Sequence, residues 1–126
     1  MSQAPSPPSF VAAHKARILE DLPDTPGYLL CERLTWDVDT IVLDALAHAL
    51  SQTMPGEHGA QARLPARWAL MALGGYGRGQ MCLRSDIDIQ IVIPDGAPDP
   101  EPLMEVFLDQ LTRRGLKLGH GVRTIN

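Results

Sequence analysis

"MALGGYGRGQMCLRSDIDIQIVI", residues 71–93, is the stretch that decides how this chain folds. Gly74, Gly75, Gly77 and Gly79 crowd a short segment between two apolar runs, and Asp86 and Asp88 open the second run. A core strand does not need so many glycines. A surface loop does not need Asp-x-Asp set into a hydrophobic run. The stretch is therefore either a glycine turn between two strands or a site for a phosphate-bearing ligand.

The run before the glycines, "RWALMAL" (67–73), shows no helical stripe and reads as a buried strand. The run after them, "DIDIQIVI" (86–93), places Asp86, Asp88 and Gln90 on one face and Ile87, Ile89 and Ile91 on the other. The connection, residues 74–85, is short for a full parallel crossover. It holds either a single helical turn, or it joins strands that pair antiparallel or in a mixed sheet. The expectation is an α/β (α+β) fold: a small mixed sheet with helices packed on it.

Further out, Val38, Ile41, Val42, Ala45, Leu46, Ala49 and Leu50 recur at helical spacing over residues 36–50. Asp37 and Asp39 then fall in the first turn, where the helix dipole favours negative charge. A second helix is expected over residues 102–114, with Leu103, Met104, Phe107, Leu108 and Leu111 on one side and Gly115 as its cap. "LKLGHGV", residues 116–122, alternates again and opens a third strand. Trp36 and Trp68 read as core anchors. Upstream, residues 1–9 are Pro/Ser-rich and read as disordered, residues 10–22 fit a short helix, and "LPDTPG" (22–27) breaks it. The resulting division is a disordered stretch over 1–9, a helical segment and loop over 10–66, and a core over 67–126 that lacks its later strands.

With 126 residues, 44 % apolar content and a formal net charge of −4, the chain is one soluble domain's worth. Lys and Arg are scattered, which disfavours nucleic acid as a main partner. No basic start precedes an apolar core, and no window approaches the roughly 20 apolar residues of a membrane span. A cytoplasmic protein without a membrane partner is expected. Cys31 and Cys82 fit no metal spacing and read as small buried hydrophobes.

The glycines fail the common phosphate fingerprints. Gly74 and Gly79 have P-loop spacing, but Gln80 and Met81 stand where Lys and Ser/Thr are needed. Gly75 and Gly77 begin a dinucleotide pattern whose third glycine is replaced by Gln80. What remains is Gly74-Gly75 at a strand end and Asp86-x-Asp88 on the next strand. Bare backbone lets a triphosphate approach the N–H groups. Carboxylates two residues apart on a strand share a face and repel unless a cation lies between them, which suits Mg²⁺. Singly, a Gly-Gly pair is usually a turn and an Asp-x-Asp usually a solvated face. In this order they read as two halves of one Mg·nucleotide site.

At these residues the chain resembles the DNA polymerase β-like nucleotidyltransferases, whose pattern is a strand, Gly-Gly or Gly-Ser, an arginine-bearing turn, then Ser-Asp-x-Asp. Within that superfamily "GGYGRGQMCLRSDIDIQIVI" is most similar to the N-terminal catalytic domain of the bacterial protein-PII uridylyltransferase family, and "LKLGHGVRT" (116–124) resembles that family's "LGHSVRT". The resemblance implies that Gly74 and Gly75 contact the nucleotide phosphates and that Asp86 and Asp88 hold catalytic Mg²⁺. It gives Arg78 and Ser85 supporting roles in the nucleotide pocket. The implied reaction transfers UMP from UTP to a tyrosine of the PII nitrogen-regulatory protein by in-line attack of the acceptor hydroxyl on the α-phosphorus, with pyrophosphate released. Gln80 departs from the acidic residue usual after "GRG", Gly121 replaces a serine, and the superfamily's third carboxylate has no match before Asn126. The resemblance thus implies a truncated core, weakly active or inactive by itself. Two further readings stay open: the same fold with a different acceptor, and a non-catalytic binding or regulatory remnant lacking the third carboxylate. Tyr76 reads either as a base-stacking ring or as turn packing, and His120 as a structural or a catalytic residue.

Overall fold

The computed structural model describes residues 24–54, 63–79 and 86–125, together with residues 13, 16, 17, 19 and 20. The expected disorder over 1–9 and most of the expected helix over 10–22 lie outside the described residues, as do Cys82 and Ser85.

Helix α1 spans Gly27–Thr53. It starts directly after Pro26, the second proline of the breaker segment. Leu30, Leu34, Val38, Ile41, Val42, Ala45, Leu46 and Ala49 are buried and recur every three or four residues, so one stripe runs its whole length. The helix therefore begins well before the expected start near Trp36, because Leu30 and Leu34 continue the stripe and no Gly or Pro interrupts it. Two expectations fall with that boundary. Asp37 and Asp39 sit in mid-helix rather than in the first turn, and Trp36, on the side away from the stripe, is 77 % exposed rather than a core anchor. Trp68 is buried as expected.

Strand β1, Ala69–Leu73, leads into a single helical turn, α2, Gly74–Gly77. Gly74 takes φ +61°, a left-handed conformation that glycine adopts without penalty. The turn closes as Arg78 and Gly79 N–H donate to the Gly74 and Tyr76 carbonyls at 3.1 and 3.0 Å. Strand β2, Ile87–Pro94, then runs back antiparallel to β1, with Leu73 opposite Asp88 and Met71 opposite Gln90. Both ways of accommodating the short connection are thus used together. β1 is largely exposed rather than a buried strand, because it lies at the sheet edge with one face open.

Helix α3, Glu101–Arg113, carries the chain over to β3, Leu118–Ile125, which pairs parallel to β2. Gly115 has φ +84°, its N–H donates to Thr112 O, and Leu116 N–H reaches back to Leu111 O. That is a Schellman end, completed by the buried pair Leu116 and Leu111. The sheet order is β1-β2-β3, a small mixed sheet flanked by helices.

Ile87, Ile89, Ile91 and Ile93 meet the stripe of α1 and Leu103, Met104, Phe107 and Leu111 of α3 in one core cluster. Arg114 joins the two helices, donating to Ile41 O at 3.2 Å and pairing with Asp44 at 2.7 Å. The other sheet face carries Asp88 and Gln90 and has no helix over it among the described residues. No described helix is long and apolar enough to cross a membrane.

Candidate functional site

Strand alternation puts Asp88 on the open face, since Ile87 and Ile89 on either side are buried in the core. Its two neighbours in the sheet decide what surrounds it. On the β1 side the chain has just entered the glycine turn, and a Cβ on Gly74 would come within 2.9 Å of Asp88 Oδ2. On the β3 side, Gly119 lies in register with Asp88, and a Cβ there would run into Oδ1. The carboxylate is thus flanked by two backbone segments bare of side chains. It lines a depression of about 250 Å³ with Leu73, Ile89, Gln90, Gly119 and Gly121.

Asp86 is exposed and stands one residue ahead of β2. Gly75 is half-buried inside the turn. Arg78 is exposed at the end of the turn, but it lines a separate groove of about 440 Å³ between the turn and α1, shared with Glu32, Trp36 and Tyr76. The structure therefore brings Gly74 against Asp88 and leaves Arg78 on the other side of the turn.

Tyr76 is buried, and its hydroxyl donates to Asp39 Oδ1 at 2.7 Å. Of the two sequence readings, turn packing is the one the structure bears out. Burial first, then the hydrogen bond and charge of Asp39, push the phenol's pKa well above its ordinary value. Asp39 escapes sequence reasoning because it looks like a helix-start acid. In fact it pins the glycine turn to α1. Gly77 is needed for a related reason: a Cβ there would strike the Ala72 carbonyl.

Gly119 and Gln90 join the site without matching any motif in the sequence. The signal for Gly119 lies in the alternation of Gly119 and Gly121 along β3, which repeats the period of Asp88 and Gln90 on the strand beside it. Of the later acids, Asp109 pairs with Arg113 at 2.9 Å and Asp99 accepts the Glu101 N–H at 3.0 Å. Both are engaged at α3. Among the described residues no group of three or more His, Cys, Asp or Glu side chains is placed to hold a metal ion.

Mg²⁺ keeps several waters and usually takes one or two protein carboxylates plus substrate phosphates. Asp88, solvent-facing and bordered by bare backbone, offers a hard oxygen donor with room for a hydrated ion, and Asp86 supplies a second exposed carboxylate nearby in sequence. The residues present fit such a group.

The family model "Putative nucleotidyltransferase DUF294" matches residues 16–124. The chain belongs to this nucleotidyltransferase family. It is 40 % identical over 85 residues, 67 % of its length, to the bifunctional uridylyltransferase/uridylyl-removing enzyme of Aromatoleum aromaticum. It is 45 % identical over 64 residues, 49 % of its length, to the enzymes of the same name from Burkholderia vietnamiensis and Burkholderia lata. These matches cover 10 %, 7 % and 7 % of the respective relatives, so the chain spans a small part of the curated proteins it matches. No solved structure matches the chain.

Proposed function

We propose that the chain supplies the nucleotide-binding half of a Mg²⁺-dependent uridylyltransferase, which moves UMP from UTP to a tyrosine of the PII nitrogen-regulatory protein in the cytoplasm. The observation that carries this reading is the Asp88 carboxylate held between Gly74 and Gly119 on the sheet face that no described helix covers. Asp86 and Asp88 would hold the metal, which when bound would neutralise charge developing on the phosphates. Gly74 and Gly75 let the triphosphate approach the backbone where a Cβ would stand in the way. In the reaction the acceptor oxygen bonds to the α-phosphorus, the bond to the bridging oxygen breaks, and pyrophosphate leaves with that electron pair. Similarity to relatives named uridylyltransferase supports the choice of nucleotide.

The resemblance gives Arg78 and Ser85 supporting roles in the nucleotide pocket. Arg78 is exposed at the end of the turn that Gly74 and Gly75 begin, where its side chain is free to reach towards bound phosphates.

The test incubates the intact protein with PII, labelled UTP and Mg²⁺, beside Asp86→Asn and Asp88→Asn. Transfer by the parent and its loss in both variants are expected. Equal labelling by parent and variants would sink the metal-site assignment.

A further inference from the structure

Gln90 is the second polar side chain of the Asp88 depression. Its register fixes its direction from the rest of the site. The glycine turn abuts Asp88 at the end of β1, and since β1 and β2 are antiparallel, the step from Asp88 to Gln90 leads away from that turn, to the level of Met71. On the other side Gly121 lies beside Gln90, and a Cβ there would sit 3.7 Å from its Nε2. Gly119 and Gly121 thus leave β3 bare along the depression that Asp88 and Gln90 share. Gln90 is half-buried, and its carboxamide makes no hydrogen bond to another side chain among the described residues.

Displacement at phosphorus runs in line, so the acceptor must enter opposite the leaving pyrophosphate. With the leaving phosphates over Gly74 and Gly75, and the reacting phosphorus at Asp88, the acceptor side falls over Gln90. A carboxamide is suited to that place. It is neutral, so it neither repels the phosphates nor competes for the cation, and its oxygen accepts a hydrogen bond from a hydroxyl. Glutamine orients an attacking oxygen in this way in other phosphoryl-transfer enzymes.

We infer that Gln90 is the acceptor-orienting residue, holding the hydroxyl of the acceptor side chain in line with the α-phosphorus through its carboxamide oxygen. The inference rests on the uridylyltransferase reading above. The acceptor oxygen forms the new bond to phosphorus, the bond to the bridging oxygen breaks, and the hydroxyl proton passes to water, since a carboxamide is no base.

The experiment measures two quantities on the intact protein: Mg·UTP affinity by calorimetry, and the rate of label transfer from UTP to PII. Gln90→Leu should bind Mg·UTP within about twofold of the parent and transfer on the order of tenfold more slowly. Gln90→Asn, which keeps the carboxamide but shortens its reach, should fall between them. Asp88→Asn, by contrast, should lose nucleotide affinity itself. Unchanged transfer by Gln90→Leu overturns the inference while leaving the Asp88 assignment standing. A loss of Mg·UTP affinity in Gln90→Leu also overturns it, by placing the side chain on the nucleotide. A parent that neither binds Mg·UTP nor labels PII overturns the underlying reading and this inference with it.

Discussion

The carboxylate of Asp88 occupies the space that a Cβ on Gly119 would fill. The two residues lie in register on parallel strands that a whole helix separates in sequence. The obstructing atom is the far end of a side chain, so Gly119→Ala should swing the carboxylate aside rather than unfold the sheet. The expected cost in stability is under about 1 kcal/mol by denaturant unfolding. Mg·UTP affinity should nevertheless fall roughly tenfold, because the displaced oxygen no longer faces the depression. At Gly121 the added methyl would meet Gln90 Nε2 at an ordinary 3.7 Å, so Gly121→Ala should change that affinity far less. Equal effects at the two glycines would refute the account.

The Tyr76 hydroxyl ties the glycine turn to α1 through Asp39, and its loss in Tyr76→Phe should cost about 1 kcal/mol, the net worth of a typical hydrogen bond. The pH dependence has a definite sign. Burial and Asp39 raise the folded-state pKa of the phenol above its unfolded value of about 10. Above that pH the unfolded chain has given up the proton while the folded chain keeps it, so stability is full below about pH 10 and declines as pH rises further. Tyr76→Phe should flatten this alkaline decline in thermal melts. Identical alkaline slopes would show that the tyrosine is not the group responsible.

How much could be read in advance follows from the range of each interaction. The Schellman end at Gly115 and the alternation of β2 are set by residues within one or two turns of each other, and both were legible. The mixed pairing was legible as well, because residues 74–85 are too few for a crossover of full length. The start of α1 lies earlier than the stripe over residues 36–50 suggests, because Leu30 and Leu34 extend it, and that one boundary also moves Asp37, Asp39 and Trp36 into mid-helix. For the candidate site, Gly74 and Asp88 do come together, 14 positions apart in sequence. The alternation of Gly119 with Gly121 is visible in the sequence, but only the register of β3 on β2 places Gly119 beside Asp88. The same holds for the hydrogen bond of Tyr76 to Asp39, 37 residues away.

Gly115, at φ +84°, ends α3 in a conformation that costs an L-residue about 1–2 kcal/mol. Gly115→Ala should lower stability by that amount in denaturant unfolding, with nucleotide affinity unchanged, since the Schellman end faces the core through Leu111 and Leu116. Gly115→Asn should recover part of the loss, because asparagine tolerates the left-handed region better than alanine. A neutral Gly115→Ala would mean that α3 ends differently in solution.

Asp88→Asn keeps the shape of the side chain and removes its charge, so it separates the metal site from the architecture around it. The amide fills the same space between Gly74 and Gly119, and stability should stay within about 0.5 kcal/mol of the parent. Charge neutralisation at a transferring phosphoryl group is worth several kcal/mol, so transfer from UTP should fall roughly hundredfold or more. Chelating Mg²⁺ from the parent should give the same loss, restored by adding the ion back. Chelation of the Asp88→Asn variant should then change little further, because the two perturbations remove one interaction. A variant that remains as Mg²⁺-dependent as the parent would place the cation on other residues.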